Sequence, residues 1–319
     1  NLIYRQNGKI TVNQPFYSEN INQLTAPNYD GFPLDLYLSP EPVLPVQFSR
    51  GCYYKDCAFC ALTLDHQNFR QRDPGKTVDD LVWLKERYGA QSFFFTDECF
   101  ALSPTKRLCQ QMIDRQVNVK WTCELRFEKN LSRELLAQMR DAGCLKIVFG
   151  LESFNQRVMD FMKKGIKQES VRRIVDDCVD LGIAVHCYVI VGFPTEKEEE
   201  ALDTMNFVVG NTKLHESYGF SCQPCLFDLE KEAPIMSDPG SYGIRRIMRP
   251  ATEDLSLGFF YEVQEGMTPA QAEQLYQQVY EKISEVVCEL PFNYSMADGL
   301  LYIARAKSQA LQVPQPTVS

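Results

Sequence analysis

Short apolar runs rich in β-favouring residues alternate with stretches of helical period along most of the chain. In residues 77–88, for example, Val78 and Leu81 recur at helical spacing among charged residues, and Gly89 is a stop signal. We expect Ser103 to cap the next helix. The strands predicted from this pattern are 43–48, 91–96, 119–126, 145–150, 184–191 and 217–226, and the helices are 77–88, 103–115, 132–142, 155–164, 168–181 and 195–209.

This alternation predicts an α/β fold in which parallel strands are joined by helical crossovers. Six such units make a partial (β/α)6 barrel that is open on one side, rather than the closed eight-fold form. We expect residues 43–245 to form the barrel, 1–42 an N-terminal extension or linker, and 246–319 a helical C-terminal extension. Helices predicted from Thr268 to about Val287 and over 299–310 would either cover the open side of the barrel or pack as a pair.

Composition and charge limit the class of protein, its partners and its compartment. With 319 residues, 45% of them hydrophobic, the chain can bury one large core. It has no apolar run near the roughly 20 residues of a membrane span and no basic-then-apolar leader. The net charge of −9, without a basic stripe, argues against a nucleic-acid partner. Several of the twelve cysteines lie in apolar strand-like runs, which predicts reduced thiols and a cytoplasmic protein.

Polar residues recur where the predicted strands end, and this is the edge at which α/β barrels carry their active sites. Each of them alone is explained by helix capping or a chain turn. Their recurrence at successive strand ends favours one shared pocket. These residues are Asp97, Glu98, Glu124, Arg126, Glu152, Ser153 and Gly192.

A loop after the first predicted strand carries Cys52, Cys57 and Cys60 in the spacing C-x4-C-x2-C. This spacing has three interpretations: a zinc site, a closed electron-transfer cluster, and an open four-iron cluster with one iron left for a small molecule. The first two require a fourth ligand. The candidates for it are His66, Cys222 and Cys225.

Residues 44–60, with Phe59 just before the last cysteine, resemble the cluster loop of the radical S-adenosylmethionine (SAM) superfamily. The usual spacing there is C-x3-C-x2-C, and the one extra residue found here occurs in known branches. The resemblance covers about residues 1–244. Its further landmarks are Phe95-Thr96-Asp97-Glu98, Gly150-Leu151-Glu152-Ser153, Val191-Gly192-Phe193-Pro194-Thr195-Glu196 and Asp238-Pro239-Gly240-Ser241-Tyr242-Gly243-Ile244.

The resemblance implies a [4Fe-4S] cluster held by Cys52, Cys57 and Cys60, whose fourth iron is chelated by SAM. Reductive cleavage of SAM would then release a 5′-deoxyadenosyl radical, with flavodoxin or ferredoxin as the electron donor. The resemblance also implies a set of SAM contacts. Asp97 and Glu98 are expected at the amino group, Glu152 and Ser153 at the ribose or methionine end, Arg126 or Arg157 at the carboxylate, Gly192 at the adenine, and Phe59 and Glu124 elsewhere at the cofactor.

The segments 1–10 and 35–38 are similar to a linker that follows a cobalamin-binding domain in one branch of the superfamily. Only 51 residues precede Cys52, and they lack a βαβ pattern, so we expect that domain to be lost, removed or encoded separately. Cobalamin use is compatible with the chain, although its domain is not in it. An ordinary N-terminal extension is the alternative.

The branch implies C-methylation, epimerisation or rearrangement of a small-molecule or peptide substrate. Candidate hydrogen-atom donors are Cys99, Cys222, Cys225 and Tyr218. The competing hypothesis is a metal-stapled binding or electron-carrier protein with a closed Fe-S or zinc site. Replacing His66 with alanine separates the two, because only a closed site that uses His66 would lose its metal.

Overall fold

The computed structural model describes residues 2–13, 20–37, 41–62, 69–210, 220–249 and 258–286. Its strands are β1 (Ile3–Gln6), β2 (Lys9–Val12), β3 (Val43–Val46), β4 (Ser49–Arg50), β5 (Arg70–Gln71), β6 (Ser92–Phe95), β7 (Lys120–Leu125), β8 (Cys144–Glu152), β9 (Ala184–Val191), β10 (Phe220–Leu226), β11 (Leu229–Glu230), β12 (Ile244–Met248) and β13 (Gly258–Val263). Its α-helices are α1 (Pro74–Tyr88), α2 (Leu102–Asp114), α3 (Arg133–Asp141), α4 (Gln156–Phe161), α5 (Gln168–Asp180), α6 (Glu198–Val209) and α7 (Pro269–Val286).

A six-stranded parallel sheet with the order β10-β9-β8-β7-β6-β3 organises the fold. Each strand is followed along the chain by at least one helix, so the strands run side by side in the order in which they occur. The edge strands β3 and β10 do not pair with each other. The predicted partial (β/α)6 barrel is therefore confirmed, and the carboxyl ends of all six strands lie at one edge of the sheet.

The two faces of the sheet differ in chemistry because side chains alternate along each strand. On β8, Ile147, Phe149 and Leu151 belong to the main hydrophobic core. Lys146 and Glu152 point to the opposite, concave face, although both are buried. The concave face is thus lined partly by polar groups, whereas the helices cover an apolar face.

Some helix boundaries follow the local chemistry of the sequence, and others depart from it. The carboxylate of Asp73 caps α1 by accepting the backbone N–H of Gly75 at 2.9 Å, and Ser132 caps α3. The expected cap at Ser103 is wrong, since α2 begins one residue earlier, after Ala101. The helix predicted from 195 begins only at Glu198, because Thr195 has a left-handed backbone with a φ of 71°.

The predicted C-terminal helix is confirmed as α7, and it supplies the helix of the sixth barrel unit. Ala272, Leu275 and Val279 belong to the main core, and α7 packs on α6, β9 and β10. It therefore lies on the helical side of the sheet. The elements that the sequence pattern did not predict include β12 and β13, which pair with each other across the predicted boundary at residue 245. The helix predicted over 299–310 lies outside the described residues.

The N-terminal segment forms an exposed antiparallel hairpin of β1 and β2. In the ranges that the structure describes, no helix has the length and apolar character needed to cross a membrane.

Candidate active site

The cysteine loop begins at the carboxyl end of β3 and is held there by the two acids that follow β6. Asp97 is 1% exposed, and its carboxylate accepts the backbone N–H groups of Phe48, at 3.0 Å, and Ser49. Burial raises the pKa of Asp97 to about 7. Glu98 accepts the N–H of Gly51 at 2.9 Å. Both carboxylates thus fix the start of the loop, and their expected contact with the SAM amino group stays a prediction.

The three cysteines of the loop carry reduced thiols, with Cys57 buried and Cys52 and Cys60 half-buried. Burial raises the pKa of Cys57, and it raises that of Cys60 to about 11. A hydrogen bond with the Cys99 thiol lowers the pKa of Cys52 to about 5. Within the described ranges no three His, Cys, Asp or Glu side chains converge as ligands of one ion. A four-iron cluster, by contrast, takes each thiolate at a separate iron.

Residues 162–164, which we call the bracket turn, follow α4 and accept hydrogen bonds at three successive backbone carbonyls, two from the cysteine loop and one from Arg126. The carbonyl of Met162 accepts the N–H of Ala58 at 2.9 Å. That of Lys163 accepts the hydroxyl of Tyr54 at 2.9 Å. The third, on Lys164, accepts Nη2 of Arg126 at 2.6 Å. The bracket turn therefore fixes both the cysteine loop and the arginine that follows β7.

Buried charges meet beside the loop. Nζ of Lys164 lies 2.7 Å from Oε1 of Glu152, and both side chains are at most 10% exposed. Burial acts to lower the pKa of Lys164, but Glu152 and Cys57 outweigh it and raise the pKa overall. Gly150 makes room for this pair, because a Cβ there would lie 2.6 Å from Oε1 of Glu152 and 2.8 Å from Nζ of Lys164. The Phe59 ring centroid is 5.5 Å from the same Nζ.

Further polar groups line the concave face between β7 and β10. The hydroxyl of Tyr188, which is 36% exposed, donates to Oε1 of Glu124 at 3.5 Å. Burial raises the pKa of Glu124 to about 7. Deeper in the barrel, Nδ1 of His186 lies 2.8 Å from Oγ of Ser221. Burial, helped by Lys146, holds the pKa of His186 well below its usual range. This face offers hydrogen-bonding groups to a polar ligand.

Three of the residues predicted to contact the cofactor have other partners. Ser153 is fully buried and shares a hydrogen bond with Thr204 of α6 at 3.2 Å. Arg157 pairs with Glu200 and donates to the carbonyl of Thr195 at 3.0 Å. The space next to Gly192 is filled by Ala272 of α7, against which a Cβ would clash. These contacts place Ser153 and Arg157 against α6 and the segment before it, and Gly192 against α7, and the contacts with SAM expected of all three residues stay predictions.

Sequence reasoning missed Lys164, Tyr188 and Glu196 as residues of this region. Glu196 is fully buried, and its Oε2 accepts the N–H of Gly192 at 2.7 Å. Its position in the landmark segment Val191–Glu196 was the sequence signal that could have identified it. Tyr188 could have been found from the alternation along β9, since it shares a face with His186. Lys164 follows a helix and carried no such signal.

The other cysteine candidates are dispersed. Cys99 is 2% exposed and lies beside Cys52. Cys222 belongs to the main core, whereas Cys225 is exposed on β10, at the sheet edge opposite β3. His66 and Tyr218 lie outside the described residues.

Left-handed backbone at non-glycine residues costs about 1–3 kcal/mol each and often marks functional sites. Four of the seven such residues in the described ranges lie around the carboxyl edge of the sheet, three of them in loops and one as the last residue of β8. They are Lys55, with a φ of 62°, Glu152 at 63°, Lys163 at 54° and Thr195 at 71°. These four positions therefore lie at the edge that also carries the cysteine loop.

The chain is similar in sequence to several known proteins. The chain is 28% identical over 211 residues to a protein of Pyrococcus horikoshii described as an uncharacterized methyltransferase, covering 65% of this chain and 46% of that protein. It is 30% identical over 160 residues to the anaerobic magnesium-protoporphyrin IX monomethyl ester cyclase of Rubrivivax gelatinosus, covering 49% of this chain and 29% of the cyclase. The chain thus spans less than half the length of these relatives.

Among solved structures, the fold is similar to that of the radical SAM methyltransferase TsrM from Kitasatospora setae, solved with tryptophan substrate and a SAM analogue. The TM-score is 0.58 at 16% identity, over 81% of this chain and 55% of that one. The family model described as the Radical SAM superfamily matches residues 46–208. Since this match spans more than half of the 319 residues, the chain belongs to the radical SAM superfamily.

Proposed function

We propose that this chain binds a [4Fe-4S] cluster through Cys52, Cys57 and Cys60 and uses the iron without a cysteine ligand to bind and reductively cleave SAM. The observation that carries the proposal is the rigidly held loop with three reduced thiols at the carboxyl edge of the barrel. When bound, the reduced cluster supplies the electron that converts SAM into methionine and a 5′-deoxyadenosyl radical.

The charges beside the loop support a cluster rather than three isolated thiols. Three thiolates place negative charge in a partly buried loop, which is costly unless cations face it. Arg126 and Lys164 are cations of this kind, and both favour the thiolate form of Cys57. The donor set and its surroundings therefore fit an anionic iron–sulfur cluster.

The same edge offers groups for the rest of SAM. The carboxylates of Glu98 and Glu152 are the anionic groups that suit an ammonium or ribose hydroxyl. Phe59 contributes an aromatic ring inside the cysteine loop. In this proposal, Asp97 acts through the loop backbone that it holds, whereas Ser153, Arg157 and Gly192 shape the barrel wall.

The concave face supports a substrate site inside the barrel. Glu124 and Tyr188 present a carboxyl and a hydroxyl toward the open side of the sheet, and both are partly exposed. Closed barrels fill this space with branched apolar side chains. A polar small molecule or a peptide segment is therefore the substrate class that we propose.

The reaction that we propose is C-methylation, which the description of the Pyrococcus horikoshii relative as a methyltransferase supports. Cobalamin is the methyl carrier compatible with this proposal, and a separate cobalamin-binding domain would hold it. A flavodoxin or ferredoxin would supply the electron.

The test is anaerobic reconstitution with iron and sulfide, followed by reduction in the presence of SAM and mass spectrometry for 5′-deoxyadenosine. We expect 5′-deoxyadenosine from the wild type and none from Cys57→Ala. Cys178→Ala is the matched control, because Cys178 is a buried core thiol on α5. Equal yields from wild type and Cys57→Ala, or a bound zinc ion in place of iron, would refute the proposal.

A further inference from the structure

Arg126 is held against the cysteine loop from three sides. Its side chain is 7% exposed, and Nη1 lies 3.9 Å from Sγ of Cys57. The guanidinium carbon is 3.4 Å from the ring centroid of Tyr54, which gives a cation–π contact. Nη2 donates to the carbonyl of Lys164 in the bracket turn at 2.6 Å.

The positive charge of the buried Arg126 is only weakly neutralised by an acidic side chain. The carboxylate of Glu128 approaches Nε only to 3.6 Å, and it also accepts the hydroxyl of Tyr53 at 2.5 Å. Nε is buried and has no hydrogen-bond partner among the residues that the structure describes. A buried guanidinium that is compensated so incompletely is costly unless another anion faces it. Cys57, as a cluster ligand, would supply that anion.

We propose that Arg126 is a positioning residue that raises the reduction potential of the cluster by placing a fixed positive charge and an N–H donor at Cys57. The inference rests on the proposed function. One-electron reduction adds negative charge to the cluster, so a cation close to a ligand sulfur stabilises the reduced form more than the oxidised form. The Tyr54 ring and the Lys164 carbonyl keep the charge in place.

The test is a redox titration of the reconstituted chain, monitored by electron paramagnetic resonance in the absence of SAM. We expect Arg126→Met to lower the equilibrium constant for one-electron reduction at least tenfold, which corresponds to about 59 mV toward more negative potential. Arg126→Lys keeps a charge and should recover part of the shift. Arg140→Met is the matched control, because Arg140 is exposed on α3 and pairs with the adjacent Asp141.

A second variant keeps Arg126 and should shift the reduction potential in the opposite direction. Glu128→Gln deletes the carboxylate that partly neutralises Arg126 but keeps an acceptor for Tyr53. We expect it to raise the equilibrium constant for reduction about threefold. This variant also keeps the inference falsifiable if Arg126→Met fails to assemble a cluster.

Unchanged potentials in both variants would overturn the inference. If Arg126→Met weakened SAM binding without shifting the SAM-free potential, Arg126 would be a SAM contact and the inference would also be wrong. If the wild type assembled no cluster, the proposed function itself would fail. A cluster that cleaves SAM but whose potential ignores Arg126 would overturn this inference alone.

Discussion

Replacing Lys164 with methionine removes an ammonium group but keeps most of the side-chain volume. The gross attraction between Lys164 and Glu152 at 2.7 Å is roughly 6 kcal/mol at an effective dielectric constant of 20. Desolvation offsets most of it while the pair is intact. Once Lys164 is gone, Glu152 is left buried without its partner, and we expect the free energy of unfolding to fall by about 3–5 kcal/mol.

Chemical denaturation under anaerobic, reducing conditions, monitored by circular dichroism, measures this loss in the free energy of unfolding. Lys167→Met is the matched control, because Lys167 and Asp160 form a pair that is more than half exposed and contributes less than about 1 kcal/mol. The double variant Glu152→Gln/Lys164→Met should lose clearly less stability than the sum of its single changes. If Lys164→Met costs no more than Lys167→Met, the reasoning about the buried pair is refuted.

Two further predictions concern the loop after β9. Gly192→Ala should lower stability by about 1–3 kcal/mol more than Gly182→Ala, because both glycines have a positive φ but only a Cβ at 192 meets Ala272; equal losses in thermal denaturation would contradict that packing. Burial raises the pKa of Glu196 from 4.5 to about 8, so the folded chain keeps a proton that the unfolded chain releases, and stability should fall as the pH rises from about 4.5 to 8. Glu196→Gln should remove this contribution, which is at most about 1.4 kcal/mol per pH unit, and parallel pH–stability curves for the two proteins would show that Glu196 is ionised in the fold.

The barrel was predictable because its strands and helices obey local periodicity. The predicted strand 184–191 coincides with β9, and the predicted stop at Gly89 ends α1. Ser103 and the start of α6 were predicted wrongly for conformational reasons. Ser103 lies inside a helix that begins without a side-chain cap, and the left-handed backbone of Thr195 delays the next helix.

The site was only partly predictable, because some of its residues are defined by contacts between distant segments. The three cysteines could be identified from the sequence alone, because their spacing lies within one loop. Lys164 looks like any surface lysine after a helix, and only the tertiary fold buries it against Glu152. The packing of Ala272 against Gly192, which lies about 80 positions earlier in the chain, is likewise a contact that no local pattern reveals, and the expected place of Gly192 at the adenine stays a prediction.

The central claim is that one iron of a cluster held by Cys52, Cys57 and Cys60 is open to SAM. The most direct measurement is electron paramagnetic resonance of the reduced, reconstituted chain with and without SAM. The account predicts a spectrum that changes when SAM is added, with no cluster signal after Cys57→Ala and an unaltered response after Cys225→Ala. A spectrum that ignores SAM, or a cluster that is lost when Cys225 is replaced, would mean that the site is closed and would contradict the account.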